Sequence, residues 1–245
     1  MAEPLKLKRL NVLIGRNNAG KTTVLEALAL LPYPKSPMSW FEQRHTLVAS
    51  LHGERLSALV YKYAGVAIIA YVLERDIRLK VKVTAEGESA LYWREETVGL
   101  PRDTLMTRLT GAGLIKSPRE EDAVIFIPSS DAFLSRLEEK LYEKRDLVVK
   151  TGAHYRVARD VVNKCVDEVF TEVLFSEGEL RLRREPSHGP PFYVRLKDMG
   201  DGLKRAISIL LWLEAAKPTL VLWDDFESNM HPSLIKAVLA WLAER

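Results

Sequence analysis

The chain has 245 residues, enough for one medium-sized domain or two small ones. A hydrophobic fraction of 47% and a charged fraction of 28% are typical of globular proteins, which excludes the disordered and collagen-like classes. The single cysteine, Cys165, excludes an internal disulfide and a cysteine metal cluster. The net charge of +3 is too small to indicate nucleic-acid binding by itself.

Two features of the sequence predict the cellular location and the source of the protein. No apolar stretch approaches the roughly 20 residues of a membrane span, and the first residues lack a signal-peptide pattern, so we expect a cytoplasmic protein. Gln43 is the only glutamine, whereas Lys, Arg and Glu dominate the polar residues. Scarce thermolabile amides beside abundant charged residues predict a thermophilic, archaeal source.

The first motif lies close to the amino terminus. Gly15–Thr22 matches the P-loop pattern G-x-x-x-x-G-K-[ST] at every fixed position. The apolar run Leu10–Ile14 before it predicts a buried strand, and Thr23–Leu31 after it predicts a helix that Pro32 and Pro34 end. A strand, a glycine loop and a helix in this order are the context that the motif requires.

The spacing of this motif predicts a site for ATP and Mg²⁺. Gly15 and Gly20 allow the loop to curl so that backbone N–H groups face phosphate oxygens, and the following helix directs its positive end at the same anion. Lys21 reaches the β- and γ-phosphates, and the Thr22 hydroxyl ligates Mg²⁺. The predicted nucleotide-binding residues are Gly15, Arg16, Asn17, Asn18, Ala19, Gly20, Lys21, Thr22 and Thr23.

The middle of the chain predicts a β-layer followed by helices and a hairpin. Four β-rich segments separated by turns predict an antiparallel layer: Ser57–Lys62, Gly65–Glu74, Ile77–Thr84 and Ser89–Arg94. Ala123–Ile127 predicts a further buried strand, and helical periodicity covers Asp131–Lys144 and Arg156–Phe175. Glu179–Arg184 and Phe192–Leu196 predict a hairpin.

The last predicted strand, Thr219–Trp223, ends in two adjacent carboxylates. This is the Walker B pattern, in which Asp224 holds the Mg²⁺ shell and Asp225 orients the attacking water. Strands often end in acidic residues, so the pattern is weak alone and strong beside a P-loop.

Three segments resemble ABC-type ATPases of the SMC, RecF and OLD kind, which are also called AAA family ATPases. The opening of that family is similar to Leu10–Leu28, its ABC signature to Met199–Arg205, and its joined Walker B and D-loop to Asp224–Pro232. Between about residues 40 and 190 the likeness is one of general architecture only.

The resemblance implies a role for Gly200, Asp201 and Gly202 at the start of a helix over Leu203–Ala216. Bare backbone N–H groups there would bind the γ-phosphate held by the opposite subunit, so that two ATP molecules join a head-to-tail homodimer. The alternative from the residues alone is that Met199–Gly202 is only a turn before a core helix.

The chain departs from the family at the catalytic position. Asp225 stands where the family usually has glutamate, and Glu227 could serve as a substitute base. We therefore expect slow ATP hydrolysis, with Lys21, Asp225 and Glu227 as the catalytic residues. The resemblance also implies a histidine that contacts the γ-phosphate from a strand after the Walker B helix. That strand would lie beyond Arg245, and the sequence leaves open whether the chain continues or another source supplies it.

Gln43 lies roughly where ABC ATPases carry a Q-loop that reports on Mg²⁺, which makes it a candidate metal ligand. The short distance in sequence from Lys21 favours a solvated loop residue instead.

Together these predictions give an α/β fold: a P-loop NTPase core of ABC-ATPase type with an added antiparallel β-layer and a helical lobe. Residues 1–245 form a single head, with the P-loop and β-layer over about 1–128, the helical lobe over about 129–178, and the signature and Walker B segment over about 179–245. No heptad block is long enough for an SMC-type coiled coil.

The leading functional hypothesis is an ATP-dependent molecular switch in DNA repair or anti-phage defence, with a nuclease or another effector protein as a possible partner. One alternative is an assembly module with negligible turnover. Another is a transporter nucleotide-binding subunit, which the absence of serine and glutamine in the signature disfavours. The basic cluster at Arg181–Arg184, with Arg195 and Lys197, could contact DNA, but a solvated strand face is favoured.

Overall fold

A computed structural model of the chain describes residues 4–17, 19–30, 56–60, 64–73, 77–93, 96–97, 107–108, 110–113, 124–186 and 188–245. The chain divides into two compact units that alternate along the sequence. The helical unit comprises Met1–Arg16, Pro128–Lys217 and Asp225–Arg245, and the β-layer unit comprises Asn17–Ile127 and Pro218–Asp224.

The β-layer unit begins with helix α1, Lys21–Ala29, and contains a four-stranded antiparallel sheet in the order β1-β2-β3-β4. The strands of this sheet are Val66–Leu73, Ile77–Thr84, Ser89–Trp93 and Glu96–Thr97. In β2 the apolar side chains are buried and alternate with cationic and polar ones, so only one face enters the core. That face packs with Leu30 and Val60, and the Tyr71 hydroxyl donates to the Ala27 carbonyl, which ties the sheet to α1.

A parallel strand pair completes the β-layer unit. Strand β5, Val124–Ile127, pairs in register with Leu220–Trp223, which is β9 in chain order. The pairing extends by one more hydrogen bond, in which the Asp224 N–H donates to the Ile127 carbonyl at 2.9 Å. Phe126 and Leu222 pack together with Ala29 of α1. The carboxyl end of β9 is therefore fixed beside α1.

The helical unit is built around a helix that is buried on all sides. Its helices are α2 (Asp131–Glu143), α3 (Arg145–Lys150), α4 (Ala153–Asp160), α5 (Asp201–Ala216) and α6 (Pro232–Ala243). Helix α5 packs against the other four, and 12 of its 16 residues are buried, as expected for a helix that is apolar around its circumference. Its buried Glu214 accepts hydrogen bonds from Arg156 of α4 and from Arg245, which follows α6.

A three-stranded antiparallel sheet in the order β6-β7-β8 completes this unit, with strands Phe170–Ser176, Glu179–Arg184 and Phe192–Arg195. The predicted hairpin is thus confirmed as β7 and β8. The helix predicted up to Phe175 is wrong beyond Asp160, because the last part of that segment is β6. The Asn163 side chain accepts from the Phe170 N–H and donates to its carbonyl, which fixes the start of the strand. A short apolar run fits a helix and a strand about equally well, and these contacts fix this one as a strand.

Two predicted strands are also wrong. Leu10–Ile14 forms no strand, and Ile14 is 91% exposed. The apolar run was interpreted as buried, yet a strand also needs a hydrogen-bonding neighbour, and no strand of the described chain pairs with it. Within the predicted strand Ser57–Lys62, Leu56–Leu59 form a 3-10 helical turn, and residues 61 and 62 lie outside the description. The other segments of the predicted β-layer are confirmed as antiparallel strands within one residue of the expected bounds.

Candidate functional site

The amino end of α1 carries the second half of the P-loop motif. Gly20 precedes the helix with a φ of +85°, a left-handed conformation that glycine adopts without strain. A Cβ there would meet no atom within 4 Å, so the requirement for glycine is conformational rather than steric. No side chain caps the amino end of this helix, where the positive end of the helix dipole lies.

The decisive contact of the site joins the two ends of the sequence. The Thr22 hydroxyl lies 3.0 Å and 3.2 Å from the two carboxylate oxygens of Asp224, and donates to that carboxylate. The two residues are 202 positions apart, and both were predicted as Mg²⁺ ligands from separate motifs. Helix α1 supplies the threonine and the carboxyl end of β9 supplies the aspartate.

The oxygen atoms of this pair fit Mg²⁺ bound together with a nucleotide. Magnesium prefers hard oxygen ligands, keeps several waters, and is commonly held by one or two carboxylates plus substrate phosphates. Within the described part of the chain, no group of three or more His, Cys, Asp or Glu side chains could hold a metal ion. One hydroxyl and one carboxylate match the magnesium pattern, whereas a structural zinc site needs four nitrogen or sulfur ligands.

The acidic pair is followed by a tight turn. Asp225 and Asn229 have φ values of 45° and 60°, and aspartate and asparagine are the non-glycine residues that tolerate this conformation best. The Ser228 N–H donates to the Asp225 carbonyl, and the Met230 N–H donates to the Glu227 carbonyl, both at 3.0 Å. The side chains of Asp225 and Glu227 are exposed, so either carboxylate is available to solvent.

The signature segment differs from the expectation in one respect. Helix α5 begins at Asp201, with Gly200 exposed at its N-cap and no capping side chain. Gly202 was expected to expose its N–H, but it is buried. A Cβ on Gly202 would lie 2.1 Å from the carbonyl oxygen of Asn229, so this glycine allows the backbone of the acidic turn to approach the helix. Of the two glycines, only Gly200 is exposed.

Sequence reasoning missed Arg205, which lies one turn into α5. Its guanidinium donates to the Pro128 carbonyl at 2.6 Å, and the residue is only 4% exposed. Burial lowers the pKa of Arg205, while the nearby charges of Asp131 and Asp225 oppose that shift. The available signal was an arginine directly before the largely apolar run Ala206–Leu213. The structure shows it as a buried cation beside the second acid of the pair.

Most of the other residues that the P-loop motif predicts to bind nucleotide lie at the surface. Gly15, Arg16, Asn17, Ala19 and Thr23 are exposed and Lys21 is half-buried. Asn18 and Gln43 lie outside the described residues, so their nucleotide and metal roles stay predictions.

The basic cluster around β7 and β8 is neutralised by carboxylates. Each cation of the cluster pairs with an acidic side chain: Arg181 with Glu177 and Glu179, Arg183 with Glu172 and Glu185, Arg184 with Glu168, Arg195 with Asp198, and Lys197 with Glu179. This cluster offers no excess positive charge for DNA, which agrees with the favoured interpretation as a solvated strand face.

Comparisons with known proteins agree with this geometry. The family model described as "AAA domain, putative AbiEii toxin, Type IV TA system" matches residues 10–49 and 170–245, the two parts that contain the motifs. A structure of the SmcHead bound to the C-winged helix domain of ScpA is similar, with a TM-score of 0.57 and 14% identity over 94% of this chain and 76% of that chain. The search of curated proteins gave no match.

A second similar structure is the Smc head domain with an extended coiled coil bound to the C-terminal domain of ScpA, derived from Pyrococcus furiosus. Its TM-score is 0.55 at 12% identity, covering 94% of this chain and 79% of that chain. The chain has the fold of an AAA/ABC-type P-loop ATPase of the SMC-like kind. The predicted fold class and family resemblance are confirmed. None of the described helices has the length and apolarity to cross a membrane.

The two glycines of the signature should respond differently to the same substitution. Gly202→Ser should lower the free energy of unfolding by about 2 kcal/mol, because its Cβ would collide with the backbone of Asn229. Gly200→Ser should leave it unchanged or raise it by a few tenths, since serine suits an N-cap and the space is open. Urea denaturation of both variants measures the difference. Equal losses would show that the contact with Asn229 does not restrict position 202.

The two acids should also separate in function. Asp224→Asn should weaken Mg²⁺-dependent ATP binding by about tenfold or more, because a carboxylate ligand of the metal is lost. Asp225→Asn should preserve affinity and slow hydrolysis, and asparagine also tolerates the left-handed backbone of that position. Calorimetry with Mg²⁺-ATP, and with ATP plus a chelator, tests the assignment. It is contradicted if both variants lose affinity to the same extent.

Proposed function

We propose that the chain is an ATP-binding and ATP-hydrolysing molecular switch that dimerises head to tail around Mg²⁺-ATP. The observation that carries this proposal is the contact between the Thr22 hydroxyl and the Asp224 carboxylate, which unites the P-loop with the Walker B strand. Neither motif alone defines a nucleotide site, and two side chains from separate motifs at hydrogen-bond distance support a shared site for magnesium and nucleotide.

Each residue of the site has a physical task in this proposal. The amino end of α1 and the Lys21 ammonium bind the phosphate chain and offset its negative charge. Thr22 and Asp224 hold the metal ion, which neutralises charge on the β- and γ-phosphates when bound. Asp225, or Glu227, orients water for attack on the γ-phosphorus. The shorter aspartate side chain at this position favours slow turnover.

The signature supplies the proposed link between two copies. Gly200 leaves the amino end of the 16-residue helix α5 open, and the helix dipole favours a phosphate there. Asp201 in the first turn would oppose an anion, but Lys204 pairs with it at 3.3 Å. We propose that this helix end contacts the γ-phosphate bound by the opposite copy, so that ATP closes the dimer and hydrolysis opens it.

The proposed switch would act through a partner protein. The compared Smc heads bind ScpA domains, which supports a partner protein that reads the open and closed states. DNA repair and anti-phage defence, with a nuclease or another effector as partner, both suit such a device. The cytoplasmic location and the thermophilic source stay predictions.

An assembly module that binds ATP with negligible turnover is the second candidate. Its supporting observation is Asp225, one methylene shorter than the usual glutamate and exposed on a left-handed turn. Such a protein would use the same contacts to hold ATP as a structural link.

Steady-state phosphate release separates the two candidates. The wild type should release phosphate from ATP above background, and Lys21→Ala should abolish this, because the missing ammonium no longer neutralises phosphate charge. The fold of the variant should be unchanged, since Lys21 is only half-buried. ATP binding without any release by the wild type would favour the assembly module. Unchanged ATP affinity in Lys21→Ala would contradict the P-loop assignment itself.

Sedimentation with a non-hydrolysable ATP analogue tests the dimer. The wild type should be largely monomeric without nucleotide and dimeric with Mg²⁺ and the analogue. Gly200→Glu should bind the analogue but stay monomeric, because a carboxylate at the helix end repels the opposing phosphate. Gly200→Ser is the matched control and should still dimerise. A wild type that remains monomeric at high concentration with bound analogue would overturn the proposed closure.

A further inference from the structure

The outward face of the sheet β1-β2-β3 carries two parallel rows of side chains that the nucleotide site does not use. On β1 the row is apolar and consists of Val66, Ile68, Ala70 and Val72. Directly opposite in register, β2 presents Thr84, Lys82, Lys80 and Arg78. The apolar row is exposed, with 66% of Ile68 and 69% of Val72 open to solvent.

Strand β1 lacks the features that usually accompany exposure. An antiparallel sheet with one solvated face normally alternates apolar and polar residues, as β2 does. The sequence of β1, VAIIAYVL, has no charged residue on either face and no proline. Among the described strands it is also at the edge of its sheet, where proteins usually place charges or breaks to prevent unwanted pairing. Such a strand has the composition of one that is covered on both faces.

The cationic row on β2 indicates that a partner covering the apolar row of β1 carries negative charge. Lys80 and Lys82 form no ion pair within the described part of the chain, and β1, β2 and β3 contain no aspartate or glutamate. The cations around β7 and β8, by contrast, are all paired with carboxylates. The outward face therefore combines an aliphatic stripe with two lysines, Lys80 and Lys82, that have no ion-pair partner among the described residues.

We infer that this face is a docking surface for an acidic amphipathic helix of a partner protein. Neighbouring strands lie about 4.8 Å apart, and a helix is about 10 Å wide, so one helix covers both rows at once. Its apolar stripe packs on Ile68, Ala70 and Val72. Its carboxylates on one flank pair with Lys80 and Lys82.

The side chains favour a polypeptide over a nucleic acid as occupant. Single-stranded nucleic acid is usually bound by aromatic side chains that stack on bases, beside a longer basic groove. The row on β1 is wholly aliphatic, which suits leucine or isoleucine side chains on a helix. On β3, the half-buried Tyr92 lies opposite Lys80, so one aromatic ring borders the basic row rather than a series of rings. Phosphates on the basic row would leave this apolar stripe uncovered.

Fluorescence anisotropy with designed peptides tests the proposal on the full chain. The probe is a labelled helix of about 18 residues with leucines at i, i+3, i+4 and i+7 and glutamates along one flank. A peptide of the same composition in scrambled order, a peptide with lysine in place of glutamate, and a DNA duplex of about 20 base pairs serve as comparisons. The acidic amphipathic peptide should bind at least about tenfold more tightly than any of them.

Variants of each row identify the surface. Lys80→Glu with Lys82→Glu, and Ile68→Ser with Val72→Ser, should each weaken binding of the acidic peptide by about tenfold or more. Matched controls on α3, Lys150→Glu and Val149→Ser, change exposed residues of the same types and should have no effect. ATP binding should be unaffected in every variant, which verifies that the chain is folded.

Three results would overturn the inference. The first is equal binding of the acidic and scrambled peptides, or acidic-peptide binding that the row variants leave unchanged. The second is tighter binding of the DNA duplex that Lys80→Glu with Lys82→Glu abolishes, which would make the face a nucleic-acid surface. The third is self-association of the wild type in sedimentation that Ile68→Ser with Val72→Ser removes, which would assign the face to a second copy.

Discussion

The parallel pairing of β5 with β9 is the constraint on which the candidate site depends. The two strands are nearly 100 residues apart in sequence, and the hydrogen bond from the Asp224 N–H to the Ile127 carbonyl extends their pairing to the acidic residue itself. Packing of Phe126 and Leu222 against α1 then brings the P-loop threonine to that carboxylate. Without this pairing the Thr22 hydroxyl and the Asp224 carboxylate would have no fixed separation.

The turn after β9 is held by contacts that a motif description does not contain. The backbone of Asn229 approaches α5 so closely that only glycine fits at position 202. Arg205, one turn further along the same helix, is buried beside Asp225 and bound to the Pro128 carbonyl. The signature helix therefore supports the acidic turn of its own chain, in addition to any contact that its amino end makes with a phosphate.

Charge on this protein is informative only where its pairing is known. The sequence shows a basic cluster around β7, yet those arginines form ion pairs with neighbouring carboxylates. Lys80 and Lys82 are less conspicuous in the sequence, but they form no ion pair within the described residues and lie beside an aliphatic row. Net charge and local clusters count ions, whereas recognition depends on the charges that remain uncompensated.

The sequence by itself determined the local features: the P-loop and its following helix, the acidic end of β9, the β7–β8 hairpin and most of the antiparallel β-layer. Each depends on short-range patterns, such as glycine spacing or the alternation of Ile77–Thr84. Tertiary structure alone decided the exposure of Leu10–Ile14, the strand at Phe170–Ser176 and the burial of Gly202. These outcomes depend on which distant segment supplies a hydrogen bond or a packing contact, and a local apolar or glycine pattern does not specify that partner.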